Sequence, residues 1–231
     1  MHSVRNLTRT IWVLNIIVAE VIKLGMFKLI KKECIAAMER DPAATSFWQV
    51  FWFYPGVRAI AAHRKAHELY KKGKMFKAMR IANRARRKTG IEIHPAAVIG
   101  EKVFIDHGTG VVIGETAVVG DGCTIYQGVT LGGTGKDVGK RHPTIGNNVL
   151  IGAGAKVLGP FTVGDNSKIA ANAVVLKEIP PNSTCVGVPA RIVKMDGVPV
   201  HFDHVNTPDP ISQEICRLCQ EIEKIKAEMA K

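Results

Sequence analysis

At 231 residues and 46% hydrophobic content, the chain is long enough for one good core with appendages. Its five cysteines (Cys34, Cys123, Cys185, Cys216, Cys219) are scattered and odd in number, which argues against a disulfide framework and for reduced thiols in the cytoplasm. Most of the net charge of +12 lies in residues 64–88, where eleven Lys and Arg meet one Glu; the helical spacing and lack of a binding motif mark a solvated basic helix face, and no nucleic-acid partner is expected.

The apolar run 11–24 contains Asn15, Glu20 and Lys23 and is too short to span a bilayer. No small-residue cleavage site follows it, so neither a membrane span nor a secretory signal is expected. Met26 opens Met-Phe-Lys-Leu-Ile-Lys-Lys-Glu, which reads as an amino terminus of its own, leaving residues 1–25 as an upstream extension.

From 26 to 90 the periodicity is helical. Phe27, Ile30 and Cys34 recur at helix spacing, and Asp41 in Arg40-Asp41-Pro42-Ala43 is placed to cap a following helix with Pro at its first position. The aromatic run Phe47, Trp48, Phe51, Trp52, Phe53, Tyr54 stops at Pro55-Gly56 and is expected to form the helical domain's core or its seat on the downstream domain. Helices are predicted near 57–72 and 75–88, separated by Gly73 and closed by Gly90.

A six-residue beat then takes over. Thirteen aliphatic openers (Ile93, Ile99, Ile105, Ile113, Val119, Ile125, Leu131, Ile145, Ile151, Val157, Val163, Ile169, Val175) are each usually followed by Gly, Ala or Asp, with a small or β-branched residue four places on. Such a period predicts a β-helix of eighteen-residue triangular coils, with openers eighteen apart stacked in one ladder and Gly or Asn turning the corners. The beat slips twice, by two residues between Ile105 and Ile113 and by eight between Leu131 and Ile145. Those slips must leave the prism as a bulge at 106–112 and a loop at 132–144. The repeats span 91–195, end at Pro180-Pro181 and give one last strand from Val186. Residues 196–231 form a polar linker and a tail in which Ile211, Ile215, Leu218, Ile222, Ile225 and Met229 make a short heptad seam. Isoleucine at both seam positions favours three strands, as does a three-faced prism, so a homotrimer is expected.

The chemistry-bearing residues gather at the slips. Asp106 and His107 occupy the bulge, Glu115 lies just beyond, Lys140-Arg141-His142-Pro143 close the loop, and Glu92 and His94 open the repeats. A neutral imidazole can take a proton from an attacking hydroxyl, and a carboxylate on its far nitrogen would fix the tautomer. Glu92, fifteen residues before His107, could reach it from the adjacent layer. Leu131-Gly-Gly-Thr-Gly-Lys offers bare backbone N–H groups to a phosphate, an amide or an oxyanion.

Ile91-x-Ile-His-Pro-Ala-Ala, Ile105-Asp-His-Gly-Thr-Gly, Ile113-Gly-Glu-Thr-Ala-Val, Val129-Thr-Leu-Gly-Gly-Thr-Gly-Lys, Lys140-Arg-His-Pro and Gly187-Val-Pro-Ala-Arg together resemble the bacterial serine O-acetyltransferases over about residues 30–200. The resemblance implies an α+β protein, a helical domain followed by a left-handed parallel β-helix and a short C-terminal helix. It implies acetyl transfer from acetyl-CoA to L-serine, with no metal, for cysteine biosynthesis. His107 would be the general base and Glu92 its orienting carboxylate, where the family carries Asp or Glu. Asp41, Asp106, Glu115, Arg141 and His142 would hold serine. Gly133, Thr134, Ala153, Lys168 and Ala171 would line a CoA groove between subunits, so that activity requires the trimer. Counted from Met26 the helical domain is short, which leaves the family's hexamer open. The chain also ends Glu-Met-Ala-Lys where many members carry the terminal Ile that docks O-acetylserine sulfhydrylase, so that partnership and cysteine feedback inhibition stay open. The rival readings are a sugar or other small hydroxyl acceptor on the same fold, a γ-type carbonic anhydrase built on His94, His107 and His142, and a non-catalytic trimeric scaffold.

Overall fold

The computed structural model describes residues 31–135 and 138–199 and, in the tail, residues 218, 219, 222 and 226. The readings of residues 1–25, of Phe27 and Ile30, of Cys216 and of the seam at Ile211, Ile215, Ile225 and Met229 lie outside the described residues. The chain divides into a compact unit through Val198 and a second unit from Pro199 on. In the second, Leu218, Cys219, Ile222 and Lys226 are helical and exposed.

The helical segment comes first: α1 (31–40), α2 (Phe47–Phe53), α3 (Pro55–Lys71) and α4 (Met75–Thr89). Gly73 and Gly90 take φ of 70° and 71° and end α3 and α4, as their placement predicts. Asp41, by contrast, caps no helix. Its carboxylate accepts the Ala43 N–H at 2.8 Å and its carbonyl the Ala44 N–H at 3.0 Å, which makes a local turn, while Ser46 caps α2 by accepting the Gln49 N–H at 3.2 Å. An Asp before Pro satisfies the backbone two residues on more readily than it starts a helix five residues away.

The repeats wind into a triangular prism with one short strand per face. The first coil gives β1 (Glu92–Ile93), β2 (Val98–Ile99) and β3 (Phe104–Ile105). The second gives β4 (Val112–Ile113), β5 (Val118–Val119) and β6 (Thr124–Ile125), and the third β7 (Thr130–Gly132), β8 (Thr144–Ile145) and β9 (Leu150–Ile151). The fourth gives β10 (Lys156–Leu158), β11 (Thr162–Val163) and β12 (Lys168–Ile169), and β13 (Val174–Val175) starts a fifth. Sheet A stacks β1-β4-β7-β10-β13, sheet B β2-β5-β8-β11, and sheet C β3-β6-β9-β12, all in parallel register. Both slips are absorbed without loss of register, since Ile93 pairs with Ile113 and Leu131 with Val157. Every opener is buried, at 6% exposure or less. Burial of one such side chain is worth about 1.5–3 kcal/mol, so the column is the main source of cohesion. The third residue after an opener turns the corner at φ of 54–72°, at Lys102, Gly122, Gly128, Asn148, Gly154, Asn166 and Asn172. Along the edge between sheets B and C, Asn148, Asn166, Asn182 and Asp196 hydrogen-bond in series at 3.4, 3.1 and 2.9 Å.

Two expectations change at the ends of the prism. Beyond Pro180-Pro181 the chain forms a hairpin rather than one strand: β14 (Ser183–Val186) extends sheet C in parallel on β12, and β15 (Arg191–Met195) returns antiparallel to it. Gly187-Val188-Pro189-Ala190 supplies the reversal that a single-strand reading of 186–193 passes over. At the other end α3 lies across the first coil, where Ala59 and Ile60 join the aliphatic column. Arg64 donates to the Ile99 and Gly100 carbonyls, and the His67 ring lies 2.8 Å from the Pro95 carbonyl. These carbonyls have no coil above them, so the helix closes the open end of the solenoid. Arg64 is thus one basic residue of the 64–88 run that is not part of a solvated face. The aromatic run divides: Phe47, Phe51 and Tyr54 pack with buried Val50 and Phe104 of β3, while Trp48, Trp52 and Phe53 remain 59%, 59% and 76% exposed.

Candidate active site

The slip between β3 and β4 sits on the edge joining sheets C and A. Its two extra residues make a tight turn in which the Gly108 N–H donates to the Asp106 carbonyl at 2.6 Å around His107, at φ 54°. Histidine is among the few non-glycine residues that tolerate this region. The glycine after it lies against Ile91, which a Cβ there would overlap, so the turn is pressed onto the core while His107 projects into solvent.

The helical segment completes this corner. One oxygen of Asp41 accepts the Ala43 N–H, and the other accepts the Tyr54 O–H in a short hydrogen bond. The Tyr54 hydroxyl and the Ala43 N–H hold Asp41 below the usual carboxylate range, aided by the nearby His107. Tyr54 is pushed up to about 12 by burial, by its bond to Asp41 and by the charges of Asp41 and Asp106. Two carboxylates and an imidazole therefore share one corner, which suits a cation and a proton acceptor side by side. Tyr54 is absent from the sequence reading except as one ring of the aromatic run. Its position at the end of that run, just before Pro55-Gly56, was the available signal of a polar tip turned elsewhere.

The second slip lies on the edge joining sheets A and B. Here Arg141 pairs with Glu115 at 2.5 Å, and both groups are about one-third exposed. His142 is buried at 8% exposure over Gly114, where any Cβ would overlap the ring. Burial keeps its imidazole below the ordinary histidine value; Arg141 and Lys140 push the same way and Glu115 opposes them. His94, from the coil above, stands edge-on to Tyr70 at 6.1 Å and is also lowered, chiefly by burial. The sequence reading missed Thr116, which contacts Lys140, Arg141 and His142.

The predicted residues thus fall into two groups. Asp41, Asp106 and His107 meet on the C–A edge, and Glu115, Arg141 and His142 on the A–B edge, with sheet A between them. Among the described residues no hydrogen bond or ion pair joins the groups. Glu92 projects from β1, and its ion pair is with Arg86 of α4 at 3.7 Å. The expected CoA residues divide in the same way. Ala153 and Ala171 follow β9 and β12 on the C–A edge, stacked in the coils below His107, with Lys168 exposed on β12. Gly133 and Thr134 begin the loop on the A–B edge, and a Cβ on Gly133 would come within 2.9 Å of the Arg141 carbonyl, so this glycine also lets the two ends of the loop close. A cleft of about 580 Å³ between α4 and β1 is bordered by Arg80, Arg86, Glu92 and His94. Among the described residues no three His, Cys, Asp or Glu gather to hold a metal ion, and no helix is long and apolar enough to cross a membrane.

A prism of six-residue repeats with an imidazole and carboxylates at its turns is the build of a hexapeptide-repeat transferase, and residues 142–177 match the family described as bacterial transferase hexapeptide (six repeats). The chain is 52% identical over 206 residues to a serine acetyltransferase of Bacillus pumilus, covering 88% of this chain and 95% of that one. It is 54% identical to that of Staphylococcus xylosus, covering 87% and 95%. Among solved structures it resembles Neisseria gonorrhoeae serine acetyltransferase in complex with serine (TM-score 0.70, 44% identity, 74% of this chain and 70% of that one). It also resembles the Brucella abortus enzyme in complex with coenzyme A (TM-score 0.72, 47% identity, 75% and 72%). The chain belongs to the serine acetyltransferase family. Its α+β fold, helices followed by a left-handed parallel β-helix, is that of these relatives.

Proposed function

We propose that this chain is a cytoplasmic serine O-acetyltransferase that works as a homotrimer, moving acetyl from acetyl-CoA to the hydroxyl of L-serine to give O-acetyl-L-serine for cysteine biosynthesis. The division of the site residues between two edges of sheet A carries the reading. A closed threefold ring sets the C–A edge of one prism against the A–B edge of the next, and so joins the two half-sites.

In that joint, Asp41 and Asp106 accept the serine ammonium. Arg141, steered by Glu115, takes the carboxylate in a fork, with His142 beside it. His107 removes the hydroxyl proton as the serine oxygen attacks the thioester carbon. Backbone N–H groups steady the tetrahedral oxyanion, the carbon–sulfur bond breaks, and the proton on His107 passes to the departing thiolate. Glu92 is the orienting carboxylate in this scheme. Its present pair with Arg86 is long and half-exposed, and such pairs are worth about 0–1 kcal/mol, so little holds the side chain there. CoA lies along Ala153, Lys168 and Ala171 of one chain and Gly133 and Thr134 of its neighbour, with Lys168 suited to a phosphate.

The test is release of free CoA thiol with a panel of acceptors. L-serine is expected to exceed L-threonine, homoserine and a galactoside by roughly tenfold or more in kcat/KM, the scale on which one misplaced group is rejected. Preference for the galactoside overturns the serine assignment.

Tyr54→Phe tests the ammonium half. Removing one hydroxyl from a charged partner is expected to raise the KM for serine about three- to tenfold, with the KM for acetyl-CoA unchanged. Asp41 has a depressed folded-state pKa, so its contribution to stability is present above the unfolded value and lost as pH falls through the folded one. The stability gap between wild type and Tyr54→Phe should therefore be open at neutral pH and narrow by about pH 3, as urea unfolding at both pH values would report.

A further inference from the structure

Thr116 follows β4 on the A–B edge and binds the end of the 133–143 loop through nearly every polar atom it has. Its hydroxyl oxygen accepts the Arg141 and His142 N–H groups at 3.0 and 3.1 Å and lies 2.8 Å from His142 Nδ1. A hydroxyl has two acceptor sites and one donor, so with both N–H groups accepted its proton goes to Nδ1. The Thr116 backbone N–H also points at Nδ1, at 3.2 Å, and the Thr116 carbonyl accepts from Lys140 Nζ at 2.7 Å. A backbone N–H can only donate, so Nδ1 is the acceptor and the ring proton sits on Nε2. Among the described residues no acceptor pairs with Nε2, and the ring fits only because Gly114 has no side chain, since a Cβ there would overlap Nε2 and Cδ2.

We propose that Thr116 is a positioning residue for the acceptor, holding His142 as the neutral Nε2–H tautomer so that it donates to the serine carboxylate beside Arg141. The inference rests on the serine-binding role of Arg141 and His142 given above. The charged and titratable groups around the ring are Arg141, Lys140, Glu115 and His94. With three cations or potential cations against one carboxylate, and with little access to water, a neutral donor is the form this pocket supports. It completes the carboxylate's hydrogen bonds without adding a second positive charge beside Arg141.

Steady-state kinetics of Thr116→Val, Thr116→Ser and His142→Asn, with histidine-selective 15N NMR of the wild type and Thr116→Val, tests this. Thr116→Val should raise the KM for serine about tenfold, the scale of one lost hydrogen bond to a charged partner, while the KM for acetyl-CoA stays within about twofold. Thr116→Ser, which keeps the hydroxyl, should restore the KM for serine. The His142 signals, assigned by their loss in His142→Asn, should report Nε2–H in the wild type, and in Thr116→Val a shifted Nδ1 resonance, because only the backbone N–H is left to donate to it. An Nδ1–H ring in the wild type overturns the proposal, whether or not Thr116→Val folds. So does an unchanged KM for serine in Thr116→Val, or an equal rise for both substrates, which would mark simple loosening of the loop. His142→Asn separates the two readings: if it leaves the KM for serine unchanged, the serine-site assignment itself fails, whereas a raised value beside a silent Thr116→Val removes only the role of Thr116.

Discussion

His107→Ala is expected to lower kcat for serine acetylation by about 10²–10⁴, the range that a positioned general base supplies, while the chain stays folded and the proposed ring stays assembled. The structure separates these outcomes cleanly. His107 is exposed at the tip of its turn, so truncation removes no core contact. What it disturbs is a backbone at φ 54°, which alanine accepts less readily than histidine. His107→Asn guards against that objection, because asparagine tolerates the left-handed region and cannot act as a base at neutral pH. Both variants should elute as wild type and bind serine within a few-fold of it, and both should be slow. Near-normal turnover in His107→Asn would remove His107 from the mechanism.

Arg64→Ala is expected to cost about 3–5 kcal/mol of stability, the usual result of stripping one partner from a buried ion pair. Glu33 is 3% exposed and its Oε1 accepts from Arg64 at 2.9 Å, while its Oε2 has no hydrogen-bond partner among the described residues. The Arg64 side chain is 23% exposed and also serves the Ile99 and Gly100 carbonyls of the uncapped first coil. Its loss therefore leaves one buried carboxylate and two backbone acceptors unanswered at once. Urea unfolding would show the shift, and Glu33→Gln in the same background should recover part of it by removing the charge. A midpoint within error of wild type would mean that water reaches this end of the prism and that α3 is not its cap.

The solenoid was legible because its signal is local and repeated: each opener is buried for the same reason as the one before it, and even the slips could be located by counting. Gly73 and Gly90 were equally plain, since a positive φ after a helix leaves few residues to choose from. What could not be read was what faces what. The aromatic run is apolar whether or not it is covered, and only the fold shows Tyr54 turned to Asp41 while Trp48, Trp52 and Phe53 face outward. Asp41 has the chemistry of a cap and uses it on a turn. Thr116 was only one member of a repeat, because four of its five hydrogen bonds with the loop come from residues 25 and 26 places away, across the insertion. The family motif Ile113-Gly-Glu-Thr-Ala-Val contained both Gly114 and Thr116, but a motif does not say which of its members hold up another residue.

The two half-sites on opposite edges of sheet A also bear on what happens when different chains mix. In the proposed ring every catalytic joint has two parents, so a chain without His107 still lends a sound Arg141 and His142 to the next chain round. Two defective alleles, one lacking His107 and the other Arg141, would each be inactive alone, yet any ring that contains both has one junction where the intact edges meet. For a cell carrying both, the fold makes the defects complementary.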